Sequence, residues 1–169
     1  MADTPRTNEN DNDDPILEIR GLRVRFDTEE GTLEAVRGVD LTARRGRALA
    51  IVGESGCGKS VTAYSILRLI QKPGRIAGGS IVLRSEGEEP VDIAALADKD
   101  ERLYRIRGRK ISMIFQEPMS ALSPVHTIGN QIVEVIRLHQ DATQKQAEAQ
   151  AIEMLSKVGI PNSASTRTS

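Results

Sequence analysis

The chain has 169 residues, of which 38% are hydrophobic and 28% are charged, and its formal net charge is -1. This is enough for one globular domain, and the charge balance argues against a dedicated nucleic-acid binder, which usually carries a basic excess. The one cysteine, Cys57, excludes an internal disulfide, and neither a signal peptide nor an apolar membrane span is visible, so we expect a cytosolic protein.

The first predicted elements are strands. Residues 1–15 are polar and acidic, and we expect a disordered leader there. Alternating apolar residues predict strand over 16–19 and 22–26, and a third strand pattern runs over 33–43. No helical pattern separates these strands, so they are predicted to pair antiparallel.

The character of the sequence then changes to that of an α/β protein. Residues 48–52 are a continuous apolar run, which predicts a strand buried on both faces. After a glycine-rich break, residues 60–69 predict a helix whose inward side carries Ala63, Ile66, Leu67 and Ile70. A short strand over 80–83 and an acidic loop over 85–90 follow.

The second half of the chain alternates helices with one more apolar run. Residues 99–107 predict a helix, 110–115 a second buried strand, and 116–124 a loop. A helix is predicted over 128–138, and Thr143 with Gln146 forms a predicted capping box that opens another helix. The predicted inward faces of these three helices consist of the following residues: Leu103, Ile106, Ile128, Ile132, Val135, Ile136, His139, Ala147, Ala151, Met154, Leu155 and Val158.

Residues 53–60 match the phosphate-loop pattern G-x-x-x-x-G-K-[ST] at every fixed position, between a predicted strand and a predicted helix. Glycines let successive N–H groups point into one concavity, and the helix N-terminus adds a positive dipole. Lys59 is predicted to reach the β- and γ-phosphates, and Ser60 to place its hydroxyl on Mg²⁺. The alternative is a glycine-rich turn with a solvated lysine. The predicted nucleotide-binding residues of this segment are Gly53, Glu54, Ser55, Gly56, Cys57, Gly58, Lys59, Ser60 and Val61.

Residues 111–124 read Ile-Ser-Met-Ile-Phe-Gln-Glu-Pro-Met-Ser-Ala-Leu-Ser-Pro. This stretch strongly resembles the Q-loop of ABC transporter ATPases, and in particular that of the peptide/nickel importer branch. The phosphate loop and the opening strands resemble the same branch. The resemblance runs over 16–161, with 162–169 as a flexible tail. It implies an incomplete P-loop NTPase (ABC ATPase) core with an N-terminal antiparallel β-subdomain and the start of the helical subdomain.

The resemblance also implies roles for individual residues. Phe26 matches the aromatic residue that stacks on the adenine of ATP, although a packing role in the core is an equal alternative. Gln116 matches the residue that approaches Mg²⁺ and the attacking water, so it joins Lys59 as a catalytic residue. The segment 119–124, with Met119 and Leu122, matches the surface that meets the transmembrane permease. Ser123 departs from the asparagine common there.

The same resemblance implies two ATP-binding subunits that sandwich two ATP molecules on the cytoplasmic face of a prokaryotic inner membrane. The sequence has no Leu-Ser-Gly-Gly segment, no apolar strand ending in Asp-Glu and no downstream switch histidine. We therefore expect a truncated chain that binds ATP but does not hydrolyse it alone. The alternatives are another P-loop enzyme, a soluble ABC ATPase outside transport, or a nonfunctional remnant. His126 and His139 have no metal-ligand spacing.

Overall fold

The computed structural model describes residues 14–116 and 122–160 of the chain. The predicted tail, most of the predicted leader and the Met119 position of the predicted docking loop lie outside these residues. The chain divides into two compact units, Met1–Arg107 and Gly108–Ser169. Within the described ranges, no helix has both the length and the apolar character needed to cross a membrane.

The first unit is built on a four-stranded antiparallel sheet in the order β2-β1-β3-β4. Its strands are β1 (Pro15–Thr28), β2 (Gly31–Arg44), β3 (Gly74–Leu83) and β4 (Val91–Asp92). The predicted antiparallel pairing of the opening strands is therefore confirmed. The two strands predicted over 16–26 form one bulged strand, because the Gly21 N–H donates to the Asp40 carboxylate at 2.6 Å while Gly21 adopts a φ of 55°.

The core of the first unit lies on one face of this sheet. Alternation places every second side chain on that face, and the bulge at Gly21 shifts this alternation in β1 by one residue, so that Leu22 and Val24 are buried after Ile19. The buried apolar residues of the sheet are Ile19, Leu22, Val24, Val36, Ile81 and Leu83. On exposed positions, Arg23 and Arg25 of β1 both approach the Glu34 carboxylate, within 3.4 and 3.5 Å.

The first helix, α1 (Lys59–Ile66), buries a different side from the predicted one. Thr62 and Ser65 are buried, whereas the predicted Ala63 and Ile66 are only half-buried. Burial of these two polar residues is possible because their hydroxyls donate to carbonyls of the preceding turn, at 2.9 Å for Thr62 and 2.6 Å for Ser65. The predicted inward position of Leu67, which caps the helix, is confirmed.

Two predicted buried strands do not form. Residues 48–52 run without strand hydrogen bonds and expose their apolar side chains, Val52 by 89%. Residues 110–115 contain only an isolated bridge at Ile111, and Ile114 is 96% exposed. A strand needs a hydrogen-bonded neighbour, and no strand among the described residues pairs with either segment. The prediction of two buried strands is therefore wrong, because an apolar run is buried as a strand only where a neighbouring strand pairs with it.

The first unit ends in a short helical segment. A 3₁₀ turn (Ile93–Ala95) precedes α2 (Glu101–Ile106). Leu103 and Ile106 are buried as predicted. Asp100 caps α2: its carboxylate accepts from the Arg102 N–H at 2.9 Å and from the Arg102 guanidinium at 3.0 and 2.7 Å. These bonds to Arg102 lower the pKa of Asp100 from its ordinary 3.8 to about 2.

Acid should therefore weaken the start of α2 in a narrow pH window. The folded pKa of Asp100 lies below its unfolded value, so its contribution is complete above about pH 4 and is lost as the pH falls towards about 2. Asp100→Asn keeps an N-cap side chain but should remove this part of the pH dependence. Urea-unfolding midpoints between pH 5 and pH 2 test this. Glu101→Gln is the matched control, and an unchanged pH profile in Asp100→Asn would contradict the assignment.

The second unit is a pair of capped helices, α3 (Ile128–His139) and α4 (Gln144–Lys157). The predicted capping box is confirmed, because the Thr143 hydroxyl accepts from the Gln146 N–H and the Gln146 side chain accepts from the Thr143 N–H. Gly159, at a φ of 78°, follows the end of α4 as predicted.

The two helices pack through a narrower apolar face than the sequence predicted. The buried residues are Val133, Ile136, Ala147, Ala151 and Leu155, of which only Val133 was not predicted. The remaining predicted positions are half-buried or exposed, and the most exposed of them are Val135, Met154 and Val158. Ala147 and Ala151 pack in one buried cluster with Val133 and Ile136, so the contact seam is narrow and the apolar side chains on either side stay outside it.

Candidate functional site

The phosphate loop leads into α1 and is open to solvent over residues 53–57. Two of its glycines have the left-handed backbone that other residues rarely adopt, with φ of 80° at Gly56 and 94° at Gly58. Gly58 is also pressed against β2, since a Cβ there would lie 2.7 Å from the Ala35 carbonyl oxygen and 3.5 Å from Cγ2 of Val36. Position 58 therefore requires glycine for two reasons, its left-handed backbone conformation and the lack of space for a Cβ beside β2.

The N-terminus of α1 offers its backbone donors to the loop side. Gly58 is the N-cap and has no side chain, so no side chain caps the first turn. The first N–H groups of a helix carry a partial positive charge and suit an anion. Two hydrogen bonds hold the Gly58 carbonyl in place, because it accepts from both the N–H and the hydroxyl of Thr62, at 2.8 and 2.9 Å.

Thr62 is a positioning residue that the sequence analysis did not identify. Its side chain is 5% exposed and ties the first turn of α1 to the last glycine of the loop. The signal in the sequence was a hydroxyl residue four positions after a glycine at the start of a predicted helix. Such a hydroxyl can donate to the carbonyl of that glycine.

The Lys59 ammonium lies over the loop itself. It donates to the carbonyl oxygens of Gly53 at 2.7 Å and Glu54 at 2.6 Å, and it lies 3.4 Å from the Cys57 sulfur. Both carbonyls are neutral, so the positive charge remains uncompensated at the loop. The arrangement combines a fixed cation, a helix N-terminus and glycine N–H groups, which is the chemistry that a polyphosphate requires.

The remaining predicted residues of the loop lie on its surface. Glu54, Ser55 and Ser60 are exposed, whereas Val61 is half-buried. The Ser60 hydroxyl is thus accessible to a metal ion that arrives with a nucleotide. In the described ranges, no group of three or more His, Cys, Asp or Glu side chains could hold a metal by itself. The donor set fits Mg²⁺ that is shared with phosphate oxygens, which is the usual way Mg²⁺ is bound.

Phe26 lies near the end of β1 and is half-buried. Its ring packs beside Gly74, where a Cβ would lie 2.5 Å from Cε1 of Phe26 and 2.5 Å from Cγ2 of Ile70. These contacts support a packing role for Phe26, which the sequence analysis gave as the alternative to adenine stacking.

Gln116 and the described part of the following loop belong to the second unit. Gln116 is exposed, and so are Leu122 and Pro124. Ser123 is anchored through Gln131 of α3, whose side chain accepts from the Ser123 N–H at 2.9 Å and donates to the Ser123 carbonyl at 3.1 Å. Gln131 also donates to the His126 carbonyl at 2.9 Å. This anchor was not predicted.

The chain is similar in sequence to known proteins. A family model described as "ABC transporter" matches residues 36–169. A peptide import ATP-binding protein of Brucella melitensis biotype 1 is 48% identical over 149 residues, which are 88% of this chain and 44% of that protein. The glutathione import ATP-binding protein GsiA of Salmonella paratyphi A is 46% identical over 160 residues, which are 94% of this chain and 25% of that protein.

Solved structures give the same fold. A dimeric bacterial ABC transporter cassette aligns with a TM-score of 0.68 at 21% identity, over 83% of this chain and 56% of that one. A dimeric ATP-binding cassette in a post-hydrolysis state, bound to ADP and phosphate, aligns with a TM-score of 0.65 at 19% identity, over 83% and 57%. The chain thus spans less than half the length of the two curated relatives described above and a little over half of these structures.

Proposed function

This chain belongs to the ABC transporter family, and we propose that it binds ATP with Mg²⁺ at residues 53–60 as part of the ATP-binding subunit of an importer. The observation that carries the proposal is the Lys59 ammonium, held by the Gly53 and Glu54 carbonyls beside the free N-terminus of α1. A fixed cation next to free backbone donors favours the β- and γ-phosphates of a nucleotide.

Each residue of the site has a distinct proposed role. The N–H groups of residues 53–61 surround the phosphates, and Lys59 neutralises charge on the β- and γ-phosphates. Ser60 and Gln116 bind Mg²⁺, and Gln116 also positions the attacking water. Phe26 stacks on adenine with one face while its edge packs beside Gly74.

The proposed cargo is a peptide or a similar small solute, since the relatives are named as peptide and glutathione import proteins. The proposed partners are a transmembrane permease, contacted through 119–124, and a second ATP-binding subunit, as in the dimeric cassette of similar fold. The chain would then be peripheral on the cytoplasmic face of the inner membrane. Recovery of the chain together with its permease from solubilised membranes tests the proposed permease contact and location. A permease recovered without the chain would contradict them.

For the chain alone, we propose binding without turnover. The residues proposed to hold phosphate and Mg²⁺ are present, whereas the 169 residues contain no apolar strand that ends in the Asp-Glu pair of the family. A steady release of phosphate from ATP that disappears in Lys59→Ala would contradict this part of the proposal.

The metal role of Ser60 gives the most specific test of the proposed function. Ser60→Ala should weaken Mg·ATP binding by about tenfold, because it removes a hydroxyl ligand of Mg²⁺. Metal-free ATP, measured in EDTA, should bind almost as it does to the unmodified chain. Isothermal titration with and without Mg²⁺ gives the ratio of the two dissociation constants for each variant. The matched control is Ser112→Ala, at an exposed serine. An equal loss with and without Mg²⁺ would exclude the metal role.

A further inference from the structure

A cavity of about 440 Å³ lies in the first unit at the C-terminal end of α1. Its lining includes four cationic side chains, Arg68, Lys72, Arg75 and Arg107, and one carboxylate, Asp98. α1 has eight residues, Lys59–Ile66, and its length of about 12 Å separates the cavity from the phosphate loop. Its volume falls within the range of roughly 300–1,000 Å³ that is usual for small-molecule pockets.

Arg68 has a backbone conformation that normally selects glycine. It follows the helix cap with a φ of 53° and is the one non-glycine residue with positive φ among the described residues. The Arg68 N–H bonds to the Ser65 carbonyl at 3.0 Å, and the Leu69 N–H bonds to the Tyr64 carbonyl at 2.8 Å, which together form a Schellman motif. Glycine would fit this backbone better, so the reason for arginine lies in its side chain.

Backbone carbonyls hold two of the guanidinium groups of the cavity, those of Arg68 and Arg107. Arg68 donates to the carbonyls of Ala94 at 2.7 Å and Leu96 at 3.0 Å. Arg107 donates to the carbonyls of Leu67 at 2.9 Å and Arg68 at 3.0 Å. These bonds fix both guanidinium groups without neutralising them. Each guanidinium has five N–H donors, so both retain donors that bond to no acceptor among the described residues.

The surrounding charges do not cancel. Asp98 bonds to Arg68 at 2.5 Å, but its side chain is 86% exposed, whereas that of Arg68 is 19% exposed. Asp27 pairs with Arg75 at 3.0 Å from outside the lining. Four cations against these two carboxylates leave a net charge of +2. A phosphate monoester carries about -1.5 to -2 at pH 7, which matches this excess.

We propose that this cavity is a second ligand site of the chain and binds a small organic phosphate. The phosphate accepts from the free donors of Arg68 and Arg107, and guanidinium groups that are already fixed pay little ordering entropy on binding. The apolar part of the ligand contacts Ile70, Ile76 and Leu96, which also line the cavity. This site is independent of nucleotide binding at the phosphate loop.

Phenyl phosphate is a suitable probe, followed through backbone amide NMR shifts of the full chain. We expect saturable shifts at Ala94, Leu96 and Ile76, and weaker binding of inorganic phosphate, which lacks the apolar group. Arg68→Gly should weaken the binding of phenyl phosphate at least tenfold. Glycine adopts the left-handed conformation of this position readily, so the backbone should be retained. The matched control is Arg105→Gln, which removes an exposed charge of α2 outside the cavity and should bind like the unmodified chain.

A second variant and a lipid arm complete the test. Lys72→Gln leaves the Schellman backbone unaltered and should also weaken binding severalfold, so the outcome does not depend on the folding of Arg68→Gly. Sedimentation with phosphatidic acid vesicles distinguishes a lipid headgroup from a soluble phosphate, since only a headgroup site would pellet the chain. Shifts confined to residues 53–61, or equal weakening in Lys72→Gln and Arg105→Gln, would overturn the proposal.

Discussion

Replacing Gly58 by alanine is expected to weaken Mg·ATP binding by at least a hundredfold. The new Cβ would lie 2.7 Å from the Ala35 carbonyl oxygen, which belongs to the backbone of β2 and cannot turn away as a side chain could. The substitution also forces a left-handed φ of 94° on a residue with a Cβ, at a cost of about 1–2 kcal/mol. The loop must therefore move off β2, which displaces the first N–H groups of α1. Isothermal titration with Mg·ATP measures the loss.

Two other glycines separate backbone strain from the collision. Gly56 and Gly87 also have positive φ, of 80° and 71°, but a Cβ at either meets nothing within 4 Å. Gly56→Ala should reduce binding less than Gly58→Ala, and Gly87→Ala, outside the phosphate loop, should leave binding unchanged. If Gly58→Ala remains folded by circular dichroism and binds Mg·ATP as tightly as Gly87→Ala, the contact with Ala35 has no role in shaping the site.

Lys59→Ala is expected to reduce Mg·ATP affinity by about a hundredfold or more. It removes the cation at the loop, and a hydrogen bond to a charged group contributes roughly 1.5–3 kcal/mol. It also removes the bonds to the Gly53 and Glu54 carbonyls, at 2.7 and 2.6 Å, that brace the loop before ligand arrives. Both losses act in the same direction. Isothermal titration against the unmodified chain gives the ratio.

The choice of replacement separates charge from geometry at this position. Lys59→Arg keeps a positive charge but substitutes a planar fork for a compact ammonium, so we expect it to recover only part of the affinity. Lys145→Ala, which removes an exposed lysine of α4, is the matched control and should bind normally. Normal Mg·ATP binding by Lys59→Ala would contradict both roles of the ammonium, as a phosphate ligand and as a brace of the loop.

Local signals in the sequence predicted local structure well. The alternation over 16–43 predicted the antiparallel strands, and the spacing of Thr143 and Gln146 predicted a capping box that the structure contains. The family of the chain was also predictable, because the fixed residues of a phosphate loop and the stretch over 111–124 are contiguous. Such features depend on a few residues that are neighbours in the chain.

Features that depend on distant partners were not predictable. The apolar run 48–52 predicted a buried strand, but burial needs a neighbouring strand that one segment does not specify. The collision between Gly58 and Ala35 depends on how closely β2 approaches the loop. The buried side of α1 depends on hydroxyl groups that donate to carbonyls of the preceding turn. The left-handed backbone of Arg68 depends on the bonds of its side chain to the 94–98 loop. Hydrophobic periodicity contains no information on these contacts.

The central claim is that the backbone amides of residues 53–60 and the Lys59 ammonium form a site for the phosphates of ATP. Titration of the unmodified chain with Mg·ATP, followed by NMR at individual amides, tests it most directly. We predict saturable shifts at Gly56, Gly58 and Ser60 that correspond to one site per chain and are absent in Lys59→Ala. Folded protein whose amides in this loop do not shift at millimolar Mg·ATP would contradict the claim.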